Sequence, residues 1–152
     1  MTEKISFAID NVDVIDDVND RQFATLRIDA FASGNNRHDL FVSDETLKRT
    51  AKTILLKPIV WLFDKTTQGA TSHSDLEIPC GMVPHNSPLE FRELSDGRTM
   101  FTVVGKLWKR YSGKLVDIFQ REGGVKNVSV EIEVYDSVET GGFSKEIKDF
   151  AY

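Results

Sequence analysis

The sequence predicts an α+β fold, a barrel or sandwich of six or more mostly antiparallel strands with two helices inserted between them. Three observations predict it. Two segments, Phe23 to Phe31 and Val128 to Tyr135, alternate apolar and polar residues with the period of a half-buried strand. Several shorter apolar runs lie between turn-forming residues. Two stretches repeat their apolar residues at helical spacing instead.

In chain order, the first twenty residues carry Asp10, Asp13, Asp16, Asp17 and Asp20 and read as an acidic N-terminal arm, either mobile or an irregular edge strand. In the segment from Phe23 to Phe31, Ala24, Leu26, Ile28 and Ala30 share one face, opposite Thr25, Arg27 and Asp29. Ser33 to Asn36 is turn chemistry. Ser43-Asp44-Glu45 opens a helix with a capping oxygen and acidic first-turn residues. Leu47, Ala51, Ile54 and Leu55 continue it until Pro58 stops the pattern. Ile59 to Phe63 reads as a short buried strand, and Asp64 to Ser74 as a polar loop of functional length. Strands follow over Ile78 to Val83, Leu89 to Leu94 and Thr99 to Trp108, the last two joined by the turn Ser95 to Arg98. Leu115, Ile118 and Phe119 mark a short helix ended by Gly123-Gly124. The strand at Asn127 to Asp136 comes next, then a glycine connection at Gly141-Gly142 and a mixed charged and aromatic end.

Composition narrows the function. The 152 residues suit one domain, long enough to bury roughly 70% of its unfolded surface. Nineteen Lys and Arg against 24 Asp and Glu give a net charge of -5, unsuited to a phosphate backbone, so no nucleic-acid partner is expected. No apolar run approaches the ~18 residues of a spanning helix, and no membrane partner is expected. The single cysteine, Cys80, allows no internal disulfide and no thiolate cluster. With no secretory signal at the N-terminus, the setting reads as a reducing cytoplasm.

Chemistry concentrates on the strand from Asn127. Its Val128, Val130, Ile132 and Val134 face a core, which turns Ser129 outward beside the free backbone of Gly123-Gly124. A serine fixed on a rigid strand can act as a nucleophile if a base takes its proton. An ordinary outward strand residue is the competing account. Of three histidines, His38 and His85 sit in polar turns. His73 ends the long loop ahead of the Ile78 strand, a suitable place for a catalytic imidazole or for a plain exposed one. Carboxylates to orient it are plentiful, among them Asp75, Glu77, Glu131, Glu133 and Glu146. Cys80 lies in an apolar strand and reads as a small buried hydrophobe.

Several segments, in order from about Thr25 to Phe150, resemble the prohead (capsid maturation) serine proteases of tailed bacteriophages, relatives in fold of the herpesvirus assemblins. Lys57-Pro58-Ile59-Val60-Trp61 is similar to the strand that leads to the family's histidine loop. Ser72-His73-Ser74-Asp75 followed by Pro79-Cys80-Gly81-Met82-Val83 is similar to that loop and the glycine-containing strand after it. Lys106-Leu107-Trp108-Lys109-Arg110-Tyr111 resembles the strand end before the helix, and Val128-Ser129-Val130-Glu131-Ile132 the strand that carries the nucleophile.

The resemblance implies an assemblin-like β-barrel with flanking helices, and a serine endopeptidase with Ser129 as nucleophile and His73 as general base. A third member comes from a strand after the serine strand; Glu146 is the first choice, with Asp149, Glu131 and Asp75 as competitors. Arg121 and the amides around Gly123 and Gly124 are the nearest oxyanion donors. No metal and no organic cofactor is implied. The substrates would be the phage scaffold protein, the major capsid protein and the protease itself, inside the prohead in the bacterial host cytoplasm. Because assemblins gain activity on dimerising, a homo-oligomer is expected. The resemblance reads residues 21–152 as the catalytic domain, truncated or self-cleaved at its C-terminus, and residues 1–20 as an arm able to block the site until it is cleaved. The alternative expectation is a non-catalytic structural or scaffold-linked β-domain of a phage virion.

Overall fold

The computed structural model describes residues 3–9, 11–15, 19–64, 69–71, 78–120, 129–141 and 144–152. Twelve strands and two helices are seen among them. In order these are β1 (Glu3–Ala8), β2 (Val12–Ile15), β3 (Phe23–Ala32), β4 (Gly34–Asn35), β5 (Leu40–Val42), α1 (Asp44–Thr50), β6 (Pro58–Asp64), β7 (Gly69–Thr71), β8 (Ile78–Met82), β9 (Leu89–Glu93), β10 (Thr99–Trp108), α2 (Lys109–Gln120), β11 (Ser129–Gly141) and β12 (Ser144–Ala151). A 3₁₀ turn, Ala51–Ile54, continues α1.

The strands form two sheets rather than a closed barrel. The first runs β1-β11-β12-β5-β4. The second runs β2-β3-β10-β8-β6-β7, with β9 beside the N-terminal half of β10. Every pairing is antiparallel except that of β12 with β5. The chain is therefore mostly β with few helices, as the alternating segments predict, but among the described residues the edges at β1, β4, β2, β7 and β9 carry no further strand. Among the described residues no helix is long and apolar enough to cross a membrane.

The main core lies where the two sheets meet. Phe31, Phe101 and Val103 from the second sheet share one buried cluster with Val130, Ile132, Val134, Ile147 and Phe150 from the first, and Leu47, Ala51 and Ile54 belong to it too. Aromatic edges organise it: Phe31 meets Phe7 at 4.8 Å and Phe150 at 5.8 Å between ring centres. A smaller core of Ala24, Leu26, Cys80, Leu107, Leu115 and Val116 forms under α2. Ile28 packs against both, so the alternating face of β3 serves sheet contact at one end and helix contact at the other.

α1 begins as its sequence predicts. The Ser43 hydroxyl accepts from the Thr46 amide at 3.1 Å, and Asp44 and Glu45 occupy the first turn. The α-helix ends at Thr50, earlier than the spacing predicts, and the Thr50 hydroxyl donates back to the Thr46 carbonyl at 2.8 Å. The predicted loop from Asp64 to Ser74 is shortened, because β6 runs to Asp64 and β7 returns along it with Leu62 opposite Thr71. The N-terminal arm is a pair of edge strands, β1 on β11 and β2 on β3. The connection predicted at Gly141 belongs to a hairpin that pairs Gly141 with Ser144, and Gly141 adopts φ +108.

Candidate functional site

β11 is the strand on which the predicted chemistry depends. Val130, Ile132 and Val134 are buried as the alternation predicts, and Glu131 stands exposed on the opposite face. Ser129 is the first residue of β11, and its backbone lies opposite Ala8 of β1. His73 and Asp75, Arg121, Gly123 and Gly124 lie outside the described residues, as does Glu77.

The carboxylates separate clearly. Register sets Glu146 opposite Val138, nine residues along β11 from Ser129, and Asp149 opposite Asp136, seven residues along. At the ~3.3 Å rise of a strand those positions are roughly 30 Å and 23 Å from Ser129. Neither can share an imidazole with it. The expectation that Glu146 is the third member, with Asp149 as its competitor on the same strand, is corrected on that ground. Both carboxylates have other partners: Glu146 meets Lys148 at 2.9 Å and Asp149 meets Arg49 at 3.8 Å. Together with Ser43, Asp136 and Val138 they line an open, charged groove of about 840 Å³ beside α1.

Glu131 remains close. Two residues from Ser129 along the strand, it is displaced by about 7 Å. Its present contact, Lys4 at 3.9 Å, joins side chains 66% and 50% exposed, a pair of little energetic weight.

Cys80 does not compete as a nucleophile. It is fully buried, its thiol lies 3.4 Å from the Ile59 carbonyl, and burial pushes its pKa up to about 12. The histidine His38 is exposed, with its ring edge-on to Phe7 at 5.2 Å, and His85 is exposed in the turn closed by the Ser87 amide on the Pro84 carbonyl. Among the described residues no group of three or more His, Cys, Asp or Glu is placed to hold a metal ion.

One polar cluster escapes sequence reasoning. Asp29 on β3 accepts two bonds from Arg92 of β9, at 2.6 and 2.8 Å, one from Thr102 of β10 at 2.8 Å and one from Asn11 at 3.2 Å. The fork of Arg92 is the main cause that holds the Asp29 carboxyl down at about 2, with burial opposing and Thr102 and Asn11 assisting. The outward position of Asp29 is readable from the alternation; its partners, at separations of 63 and 73 residues, are not. With every partner supplied by the chain itself, the cluster ties four segments of the second sheet together.

No curated protein and no solved structure matches this chain. A family model does, over residues 22–152, from just before β3 through the end of β12, and on that match the chain belongs to the YonD N-terminal domain family.

Proposed function

We propose that this chain is a serine endopeptidase of the assemblin-like kind, with Ser129 as nucleophile and His73 as general base. Glu131 takes the third role in place of Glu146. His73 accepts the Ser129 hydroxyl proton as the oxygen attacks a peptide carbonyl. The resulting tetrahedral intermediate collapses to an acyl-enzyme as His73 returns the proton to the leaving amine. Water, deprotonated by the same imidazole, then releases the acyl group. Arg121 and the amides of Gly123 and Gly124 are the proposed oxyanion donors, each contributing on the order of 3 kcal/mol in such sites. The substrates proposed are phage scaffold and capsid proteins and the chain itself, cleaved inside the prohead.

The observation that carries this reading is the position of Ser129 at the head of a long strand whose inner face is locked in the core, with Glu131 next on its outer face. A strand locked in the core holds its backbone in fixed geometry, the kind of element on which a nucleophile can be set. The ordered sequence motifs around Lys57, His73, Lys106 and Ser129 add to it.

The test compares wild type and Ser129→Ala, each co-expressed with the cognate scaffold and capsid proteins, by intact-mass analysis. Defined cleavage products that vanish with Ser129→Ala are expected. Identical uncleaved masses in both, despite assembled shells, would instead favour a non-catalytic structural domain of the virion.

A further inference from the structure

The first strand is an edge strand of the first sheet. Among the described residues β1 pairs with β11 alone, in an unbroken register from Glu3 opposite Val134 to Ala8 opposite Ser129. Its side-chain hold is centred on Phe7, a member of the main core buried against Phe31 and His38, with Ile5 on the strand and Ile9 just beyond it partly buried against the same core. The Lys4 contact with Glu131 is exposed and long. Beyond β1, the chain is fastened to the second sheet independently: the Asn11 carbonyl accepts from the Asp29 amide at 3.0 Å, and the Asn11 side-chain amide donates to the Asp29 carboxylate at 3.2 Å. β2 then follows on β3. The two attachments are thus made to different sheets, β1 to the first and the Asn11 segment to the second.

The pattern of β1 is also that of a docked peptide. A backbone ladder binds any extended chain, and alternate apolar residues in sockets supply selectivity. Here the alternate residues are Ile5 and Phe7. Phe7 stands at a cleft of about 960 Å³ whose other walls include Phe31, Phe41, Met100 and His38, leaving the socket room for a different side chain. β11 lies inside the matched family domain, whereas β1 precedes its start at residue 22.

We propose that the edge of β11 facing β1 is a peptide-docking groove. Residues 3–8 fill it from within the chain, and an extended peptide from another protein, apolar at two alternate positions, displaces them. On the protease reading above, on which this one clause rests, β1 withholds the strand that begins with Ser129 until such a peptide arrives.

The test uses the full chain and a fluorescein-labelled peptide of residues 2–9, followed by anisotropy. Lys4 and Glu133 are Cα partners, within the reach of a disulfide across a ladder, so Lys4→Cys with Glu133→Cys locks β1 when oxidised and frees it when reduced. Binding to the reduced chain at least ~10-fold tighter than to the oxidised chain is expected, because the locked strand cannot vacate the groove, whereas the free tethered strand only competes for it. A Phe7→Ala chain, checked for folding by circular dichroism, should bind more tightly than wild type, and the peptide carrying Phe7→Asp should not bind. Equal binding to oxidised and reduced chains would overturn the proposal, as would no binding to the reduced and Phe7→Ala chains at millimolar peptide. Concentration-dependent dimers without peptide binding would overturn it in favour of strand swapping between copies. Anisotropy reads docking without catalysis, so an inactive Ser129→Ala chain that still binds the peptide separates failure of the protease reading from failure of this one.

Discussion

Arg92→Met should cost the fold about 1.5–2 kcal/mol at pH 7, and the cost should shrink as the solution is acidified. The substitution keeps the apolar stem and removes the fork that grips Asp29 at 2.6 and 2.8 Å. The Asp29 carboxyl drops from the ordinary 3.8 to about 2 in the folded chain, and Arg92 is the largest cause. Integrated over pH, that depression corresponds to about 2.4 kcal/mol. The Asp29 side chain is 9% exposed but that of Arg92 is 45% exposed, and screening reduces the figure to the range above. A depressed carboxylate stabilises above its unfolded value and loses that stability as pH falls through its folded value. The contribution is thus whole above about pH 5, roughly halved at pH 3 and nearly gone at pH 2. Thermal melts followed by circular dichroism should give a difference between wild type and Arg92→Met of about 3–8 °C at pH 7. At pH 3 the free-energy difference, from urea titrations, should be about half. An undiminished difference at pH 3 would refute the electrostatic account and assign the loss to packing of the arginine stem.

Two further outcomes test the packing. Gly81→Ala would set its Cβ 2.1 Å from the Lys106 carbonyl oxygen and 2.9 Å from the Leu107 Cα, both backbone atoms, and force β8 off β10. A loss of about 3 kcal/mol or more by urea titration is expected, and wild-type stability would show that β8 does not sit in this register. Cys80, fully buried with its thiol pushed up to about 12, should resist a disulfide reagent at pH 8 until the chain unfolds. Rapid labelling in native buffer would mean that β8 opens locally.

The legible parts of the fold are those where one physical pattern acts alone. β3 and β11 read correctly because each has a face that must be buried: Ala24 and Leu26 in one, Ile132 and Val134 in the other, are 0–7% exposed. β12 resists such reading. Its inward residues Ile147 and Phe150 are three apart, because the ladder slips on both sides of Asp136 and the period of two is lost. β7 is three residues long and polar in context, and nothing local distinguishes it from loop. In β1 the alternation of Ile5 and Phe7 is present, but the run of aspartates after it leaves a mobile arm and an irregular edge strand both open, and pairing with β11 makes it the edge strand. Closure was not legible at all, since which strands are neighbours depends on contacts such as Phe31 with Phe150, far apart in sequence.

The candidate site divides along the same line. Ser129 and Glu131 were readable as neighbours because a strand fixes the offset of residues two apart, whatever the rest of the chain does. Glu146 looked eligible because it follows on a later segment, where sequence carries no distance. Pairing decides that distance, and here the antiparallel hairpin turns back after Gly141. Residues just past the turn therefore sit at the far end of β11 from Ser129, and only residues from Lys145 onward approach it, one step for each residue gained. Ala151, opposite Glu133, comes closest in the described ladder and carries no ionisable group. Within β11 and β12, then, the carboxylate that stands nearest Ser129 along the ladder is Glu131 of β11 itself. Its exposed 3.9 Å contact with Lys4 carries little energy, and on that ground Glu131 is the residue proposed for the third role.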